Sequence, residues 1–203
     1  MSKTYSVLRI LYSLFLSVMI PVYLYKYGPT NFFYFCDIAL LITLVGVWTD
    51  SSLLISMCAI GIIIPQTLWT MDLIGELFGF PMVGITHYMF NSNTSLFLRL
   101  LSLFHVWLPF YVTYLVLKLK YDKRGLLYWT LTFWTLLFIS YNFLPKPSKD
   151  LGLTPVNVNF VWGVSDEHVQ TWMPEHWWLA IIVVVFPIIC FLPTHFVLKK
   201  RSK

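Results

Sequence analysis

Charge is scarce in this chain. Only 11% of its 203 residues are Asp, Glu, Lys or Arg, where a soluble domain carries about 25%. With 58% hydrophobic residues and a mean hydropathy of +0.73, a water-soluble fold would have nowhere to hide its apolar surface. Cysteine is scarce too. Cys36, Cys58 and Cys190 all fall in apolar stretches without metal-ligand spacing, which argues against a disulfide framework. There is no H-E-x-x-H motif, no internal repeat of useful period and no low-complexity segment. The first apolar segment follows Lys3 and Arg9, lacks a small-residue cleavage site and runs into Tyr25-Lys26-Tyr27. It is therefore expected to span rather than to be removed as a leader.

What is present is apolar length. A span needs about 20 mostly apolar residues, and six segments qualify: 5–25, 31–49, 51–74, 96–119, 126–144 and 177–198. The fold class expected is all-α, a single six-helix membrane bundle. Asp50-Ser51-Ser52 suits a tight turn and a helix N-cap between the second and third segments. The 14 Lys and Arg outnumber the 9 acids but cluster at segment ends, as topology signals do, so nucleic acid is not an expected partner. With the N-terminus cytoplasmic, ten bases fall inside, among them Lys118, Lys123, Arg124 and Lys203. Three, Lys26, Lys146 and Lys149, fall outside. Both termini are accordingly expected in the cytoplasm. Two outer loops are long. Residues 75–95 carry Gly79, Pro81, Gly84 and a polar tip at Asn91–Asn93; residues 145–176 contain alternating Val156–Trp162, expected as a short extended strand.

Asp37, Gln66, Asp72, Glu76, Arg99 and His105 lie inside or at the ends of apolar segments. A charged group at a helix centre costs roughly 2.5–3.5 kcal/mol on insertion scales, so such residues normally face a bundle interior and are functional candidates. At about 1.5 Å rise per residue all six map to the outer half, with Gln66, Trp69, Asp72 and Glu76 near one helical face. Pro65 and Pro109 free the carbonyls of Gly61 and His105 beside them. Asp37, Asp72, Arg99 and His105 are expected to line one cavity. His105 with Asp37 is either an orienter-and-base pair or a polar lock between helices. Arg99 is expected in an ion pair with an acid. Cys36 is either a packing residue or a nucleophile. No metal site is expected.

The motif order resembles a known family. Phe33-Tyr34-Phe35-Cys36-Asp37-Ile38-Ala39-Leu40 opens the second helix, Pro65-Gln66-Thr67-Leu68-Trp69 lies in the third, and Ser102-Leu103-Phe104-His105-Val106-Trp107-Leu108-Pro109 in the fourth. Asn157-Val158-Asn159-Phe160-Val161-Trp162-Gly163 precedes the last. In these the chain is similar to the YwaF-type bacterial integral membrane proteins. It is more distantly similar to a eukaryotic transmembrane phospholipid acyltransferase and to the androgen-induced hydrolases of fatty-acid esters. The resemblance implies an intramembrane acyl-transfer site with His105 as the family histidine and Cys36 at the acyltransferase cysteine. Tyr34 stands where the hydrolase branch has threonine.

The function expected is thus a lipid-directed acyltransferase or acyl-ester hydrolase of the cell membrane, in a bacterium the inner membrane. Cys36, His105 and Asp37 would be catalytic, and Arg99, Asp72, Gln66, Trp69 and Asn159 would hold the substrate. No cofactor is expected, and the partner is membrane lipid, with a membrane-protein partner left open. The alternative is a non-catalytic subunit or a small-molecule or lipid-binding protein whose polar cluster is structural. A proton-coupled transporter ranks third.

Overall fold

The structure is a computed structural model that describes residues 3–80, 82–92, 94–149 and 154–201. Pro81, Asn93 and Lys203, named above, lie outside them. Among the described residues there is no strand, and the chain forms six helical bodies. These are α1 (Lys3–Tyr27), α2 (Phe35–Trp48), α3 (Ser52–Leu77), α4 (Leu96–Leu119), α5 (Gly125–Phe143) and α6 (Glu175–Arg201). Four of them, α1, α3, α4 and α6, are long and apolar enough to cross a membrane, and α2 is a shorter apolar helix. Large apolar side chains also stand exposed along the outer faces of α1 (Val7, Leu11, Leu14, Val18) and α6 (Ile181, Val184, Val185, Ile188). Such a belt has no place on a water-soluble monomer. The chain is built as a membrane protein.

The second helix starts later than the apolar run does. Gly28 adopts φ 79, Pro29 follows, and Pro29–Phe33 form a 3₁₀ turn before α2 begins at Phe35. Proline at the first position of a turn loses no needed N–H, and the turn swings Asn31 into the bundle. At the other end of α2, Ser51 caps α3 by accepting from Leu54 N at 3.3 Å.

Side-chain contacts fix the up-and-down order. Tyr5 at the start of α1 donates to Asp50 Oδ1 past the end of α2, at 2.6 Å. Tyr12 donates to Leu40 O at 2.7 Å, and Tyr23 near the end of α1 meets Ser102 Oγ of α4 at 3.0 Å. Asp122 N donates to Ser56 Oγ at the start of α3, and Tyr121 meets His195 Nδ1 of α6 at 2.6 Å. One end of the bundle thus holds the described parts of the loops between α1 and α2, between α3 and α4, and between α5 and α6. The opposite end holds the turns at 49–51 and 120–124, the start of α1 and the end of α6.

Helix α3 is the centre, packed against α2, α4, α5 and α6. Its small buried residues Ser56, Cys58, Ala59 and Gly61 let neighbouring backbones approach, the usual means of helix association in membranes. The closest approach is at Gly61, where an added Cβ would lie 1.9 Å from Trp129 Cε2 of α5. Gly125 is similarly pressed onto Ser56, 2.8 Å from its Cβ.

The expected strand at 156–162 does not form. Val158–Phe160 make a 3₁₀ turn; Asn157 before it and Asn159 and Phe160 within it all have positive φ (48, 63 and 58). The alternation of Val and Asn reads as a pleat, but asparagine tolerates the left-handed region. Here both asparagine amides take backbone partners that a strand would have paired with a neighbour.

Gly61→Ala should lower the melting temperature in detergent, because overpacking of this kind costs about 1–3 kcal/mol. Gly61→Ala combined with Trp129→Leu should recover much of the loss, a coupling that a double-mutant cycle reads directly. Equal losses from Gly61→Ala with and without Trp129 would show that the contact does not set the helix spacing.

Candidate functional site

Three bundle-facing residues of α3 follow one another at three-residue steps: Gln66, Trp69 and Asp72, all buried. The step of three keeps them near one face, and that face meets α4. Their fates differ, and the difference separates scaffold from site.

Asp72, with no exposed surface, is fully used. Its Oδ1 accepts from the backbone N–H groups of Met82, Val83 and Gly84 at 2.9, 2.7 and 3.0 Å. Its Oδ2 accepts from Thr86 N at 3.0 Å and Thr86 Oγ1 at 2.9 Å. Successive backbone N–H groups form an anion-binding concavity, and here the anion is the chain's own carboxylate. Arg99 serves the same loop from α4. Its Nε donates to Thr94 O at 2.9 Å and its Nη1 to Met89 O at 3.3 Å. The expected Arg99 ion pair is therefore absent among the described residues: loop carbonyls take its donors, while loop amides take the acid. Glu76 pairs with His87 Nδ1 at 2.8 Å and holds the loop at a third point.

Asn159 is likewise committed. Its Nδ2 donates to Phe33 O at 2.9 Å and Ser140 Oγ at 3.0 Å, and its Oδ1 accepts from Phe35 N at 3.1 Å. It thus ties α5 to the first turn of α2 and supplies the cap that Tyr34 does not. Asn157 closes its own loop by bonding Gly163 O, Ser165 O and Trp162 N. Asn159 is in this structure a clip between elements.

His105 and Asp37 are not bonded to each other. In α4 the helix breaks for one residue at Leu103, and Val106 N donates to Leu103 O rather than to the carbonyl of Ser102. The freed Ser102 carbonyl lies 2.8 Å from His105 Nδ1. A carbonyl only accepts, so Nδ1 carries the proton and Nε2 is left as an acceptor. The imidazole stacks on Trp69 and Phe104, with centroids 4.5 and 4.0 Å away. Asp37 sits in the first turn of α2, where the helix dipole favours an acid. Its Oδ2 accepts from Asn31 Nδ2 at 3.0 Å, while its Oδ1 is buried without a partner among the described residues. The orienter-and-base pair expected of these two residues is not assembled, because a backbone carbonyl orients the ring and the 3₁₀ turn claims the acid.

Between them runs a chain the sequence reading missed: His105 to Ser102 O, then Ser102 Oγ to the Tyr23 hydroxyl, which lies within electrostatic reach of Asp37. Tyr88 and Tyr34 border the same region. Burial pushes the Tyr88 phenol, on the loop, above its ordinary value. The available signal was the stripe Tyr5, Tyr12, Leu16, Met19 and Tyr23, which comprises the buried residues of α1. Cys36 is a half-buried free thiol, with no bond to His105 among the described residues. No three His, Cys, Asp or Glu side chains among those residues group as metal ligands.

Among the described residues, the buried polar atoms left without a partner include both amide atoms of Gln66 and Asp37 Oδ1, with Thr30 Oγ1 and Glu76 Oε2 nearer the loops; His105 Nε2 has no partner there either. Trp69 lies between Gln66 and Asp72 along α3 and carries the imidazole on its face. No family model, no curated protein and no solved structure matches the chain.

Asp72→Asn should loosen the loop. It puts a donor where donors converge, and an unsatisfied buried group costs about 1–3 kcal/mol. Amide exchange at Met82, Val83, Gly84 and Thr86 should speed up by roughly tenfold or more, with the core of α3 unaffected. Unchanged exchange at these four amides would remove Asp72 as the loop's anchor.

Proposed function

We propose that this chain is a six-span membrane protein with both termini cytoplasmic, and that it binds the polar head of a lipid or similar amphiphile in the outer half of the bundle. Gln66, Asp37 and His105 meet that head, with Trp69 against its apolar part. The observation that carries the reading is Gln66. Its residue is only 3% exposed, yet neither Nε2 nor Oε1 has a partner among the described residues. A buried amide left unpaired costs about 1–3 kcal/mol, and polar groups kept in a membrane interior at such cost mark ligand sites. Asp37 Oδ1 and His105 Nε2 add two acceptors to the amide's mixed donor and acceptor, a set suited to a hydroxyl- or amine-bearing head.

Orientation follows from the bundle's two ends. The end formed by the start of α1, the 120–124 turn and the end of α6 carries Lys3, Lys120, Lys123, Arg124, Lys199, Lys200 and Arg201. Under the positive-inside rule it is cytoplasmic, and the end held together by Asp72, Arg99 and Asn159 faces out. The cell membrane, in a bacterium the inner one, is the compartment this implies.

Acyl transfer is the second reading, favoured by the His105 tautomer. A ring whose Nδ1–H is fixed by a carbonyl presents Nε2 as a ready base. It needs Cys36 or a water to come within hydrogen-bond reach of that nitrogen when lipid binds.

Gln66→Met, close in shape but without the amide, tests the leading reading. The melting temperature in detergent should rise, by about 2–4 °C for each kcal/mol recovered, while the lipid-like material that co-purifies falls. A lower melting temperature with undiminished co-purifying lipid would make Gln66 a packing lock. Ester turnover by the same preparation that disappears in His105→Gln would move the balance to acyl transfer.

Topology is tested separately. A membrane-impermeant maleimide added outside intact cells should label Ser148→Cys and spare Lys123→Cys, each read against the unsubstituted chain. Labelling of both from one side would end the six-span arrangement.

A further inference from the structure

A half-open cavity of about 280 Å³ lies between α3, α4 and α6, on the stretch of α3 just before Gln66 and toward the basic end. Ile63 and Ile64 of α3, Thr113 and Leu117 of α4 and Val197 of α6 form its wall, with Arg201 at the rim. Two threonines line it, but their hydroxyls are spent inside their own helices. Thr113 donates to Pro109 O at 2.7 Å and Thr194 to Cys190 O at 2.8 Å. What faces the cavity is hydrocarbon, so nothing inside it calls for a polar ligand. The guanidinium of Arg201 makes no ion pair among the described residues.

Length matches as well. Ile63 lies eleven residues into α3 from Ser52, roughly 17 Å at 1.5 Å per residue, and the cavity extends from that depth to the basic end. This is about one leaflet of a hydrocarbon core some 30 Å thick. The wall on the α6 side follows a π-helical turn at Pro187–Phe191, with Pro193 just beyond. There Cys190 and Phe191 are pulled into the core, and Thr194 in the next turn is buried as well. Irregularities of this kind in a helix recur at functional sites.

We propose that this cavity is a second lipid site, which takes one acyl chain of an anionic phospholipid and sets its phosphate against Arg201. The occupant follows from the shape and the charge together. A chain-length apolar groove with a single cation at its mouth fits an acyl chain below an anionic headgroup, and Lys199 and Lys200 in the same last turn raise the local positive potential. The membrane side is taken from the orientation proposed above; the groove and its cation do not depend on it.

Native mass spectrometry of the full chain in detergent, supplied with equimolar phosphatidylglycerol and phosphatidylcholine, tests the proposal without reference to membrane side. The unsubstituted protein should retain phosphatidylglycerol in preference. Arg201→Gln, at an exposed helix end, should reduce that preference by about fivefold, the share of one basic residue near an anionic head. Val197→Trp, which fills the groove, should lose the adducts of both lipids, and Leu117→Trp on the facing wall should do the same if the first variant does not fold. Gln66→Met should keep the phosphatidylglycerol adduct, so failure of the outer site and failure of this groove are read separately. Equal adducts of the two lipids on the unsubstituted protein, or a phosphatidylglycerol adduct untouched by a folded groove-filling variant, would overturn it.

Discussion

Trp129 lies across the backbone of Gly61, and the rest of the bundle is arranged around the closeness this permits. A central helix must touch neighbours on several sides, and in a bilayer no hydrophobic effect draws helices together, because lipid tails are as apolar as leucine. Contact area has to come from shape. Helix α3 supplies shape through absence: Gly61, Ala59, Cys58 and Ser56 leave room for the indole of α5, the start of α5 at Gly125 and the body of α2. Cys58 even donates its thiol to Ala39 O at 3.4 Å. Helices α1 and α6 then need only one stripe each, and the rest of their surface is left for lipid.

Polar groups at the loop end divide into ties and remainders. Asp72, Arg99, Asn157 and Asn159 are ties. Each is surrounded by backbone groups that solvate it, so burial costs them little and a loop gains a fixed path. Gln66, Asp37 Oδ1 and His105 Nε2 are remainders. Helix backbone around them is paired within its own helix, and among the described residues no group answers these atoms. A single polar cluster thus combines a bonded frame with an interior whose polar atoms are only partly paired.

How much of this was legible beforehand varied with the range of the interaction. Apolar run length marked the helices because burial in lipid demands it locally, and the failure at 31–34 came from one local break, Gly28-Pro29. The polar residues were visible for the same reason. Their partners were not, since Asp72 bonds a loop 10 to 14 residues away and Asn159 bonds residues more than 120 positions back. The strand expected at 156–162 failed because alternation reports which side chains are buried, not which backbone conformation buries them. Nor does sequence show that a break at Leu103 would free the Ser102 carbonyl and so decide which nitrogen of His105 carries the proton.

The reach of Asn159 has a consequence in time. The amide of Phe35 finds its acceptor 124 residues later in the chain, and at synthesis rates of 5–20 residues per second that is an interval of roughly 6–25 s. Until Asn159 is made, the amide of Phe35 at the first turn of α2 lacks the acceptor it has in the finished fold. The mouth of the bundle is finished by its last quarter. Any molecule that belongs inside has a window, during biosynthesis, in which the door has not yet been hung.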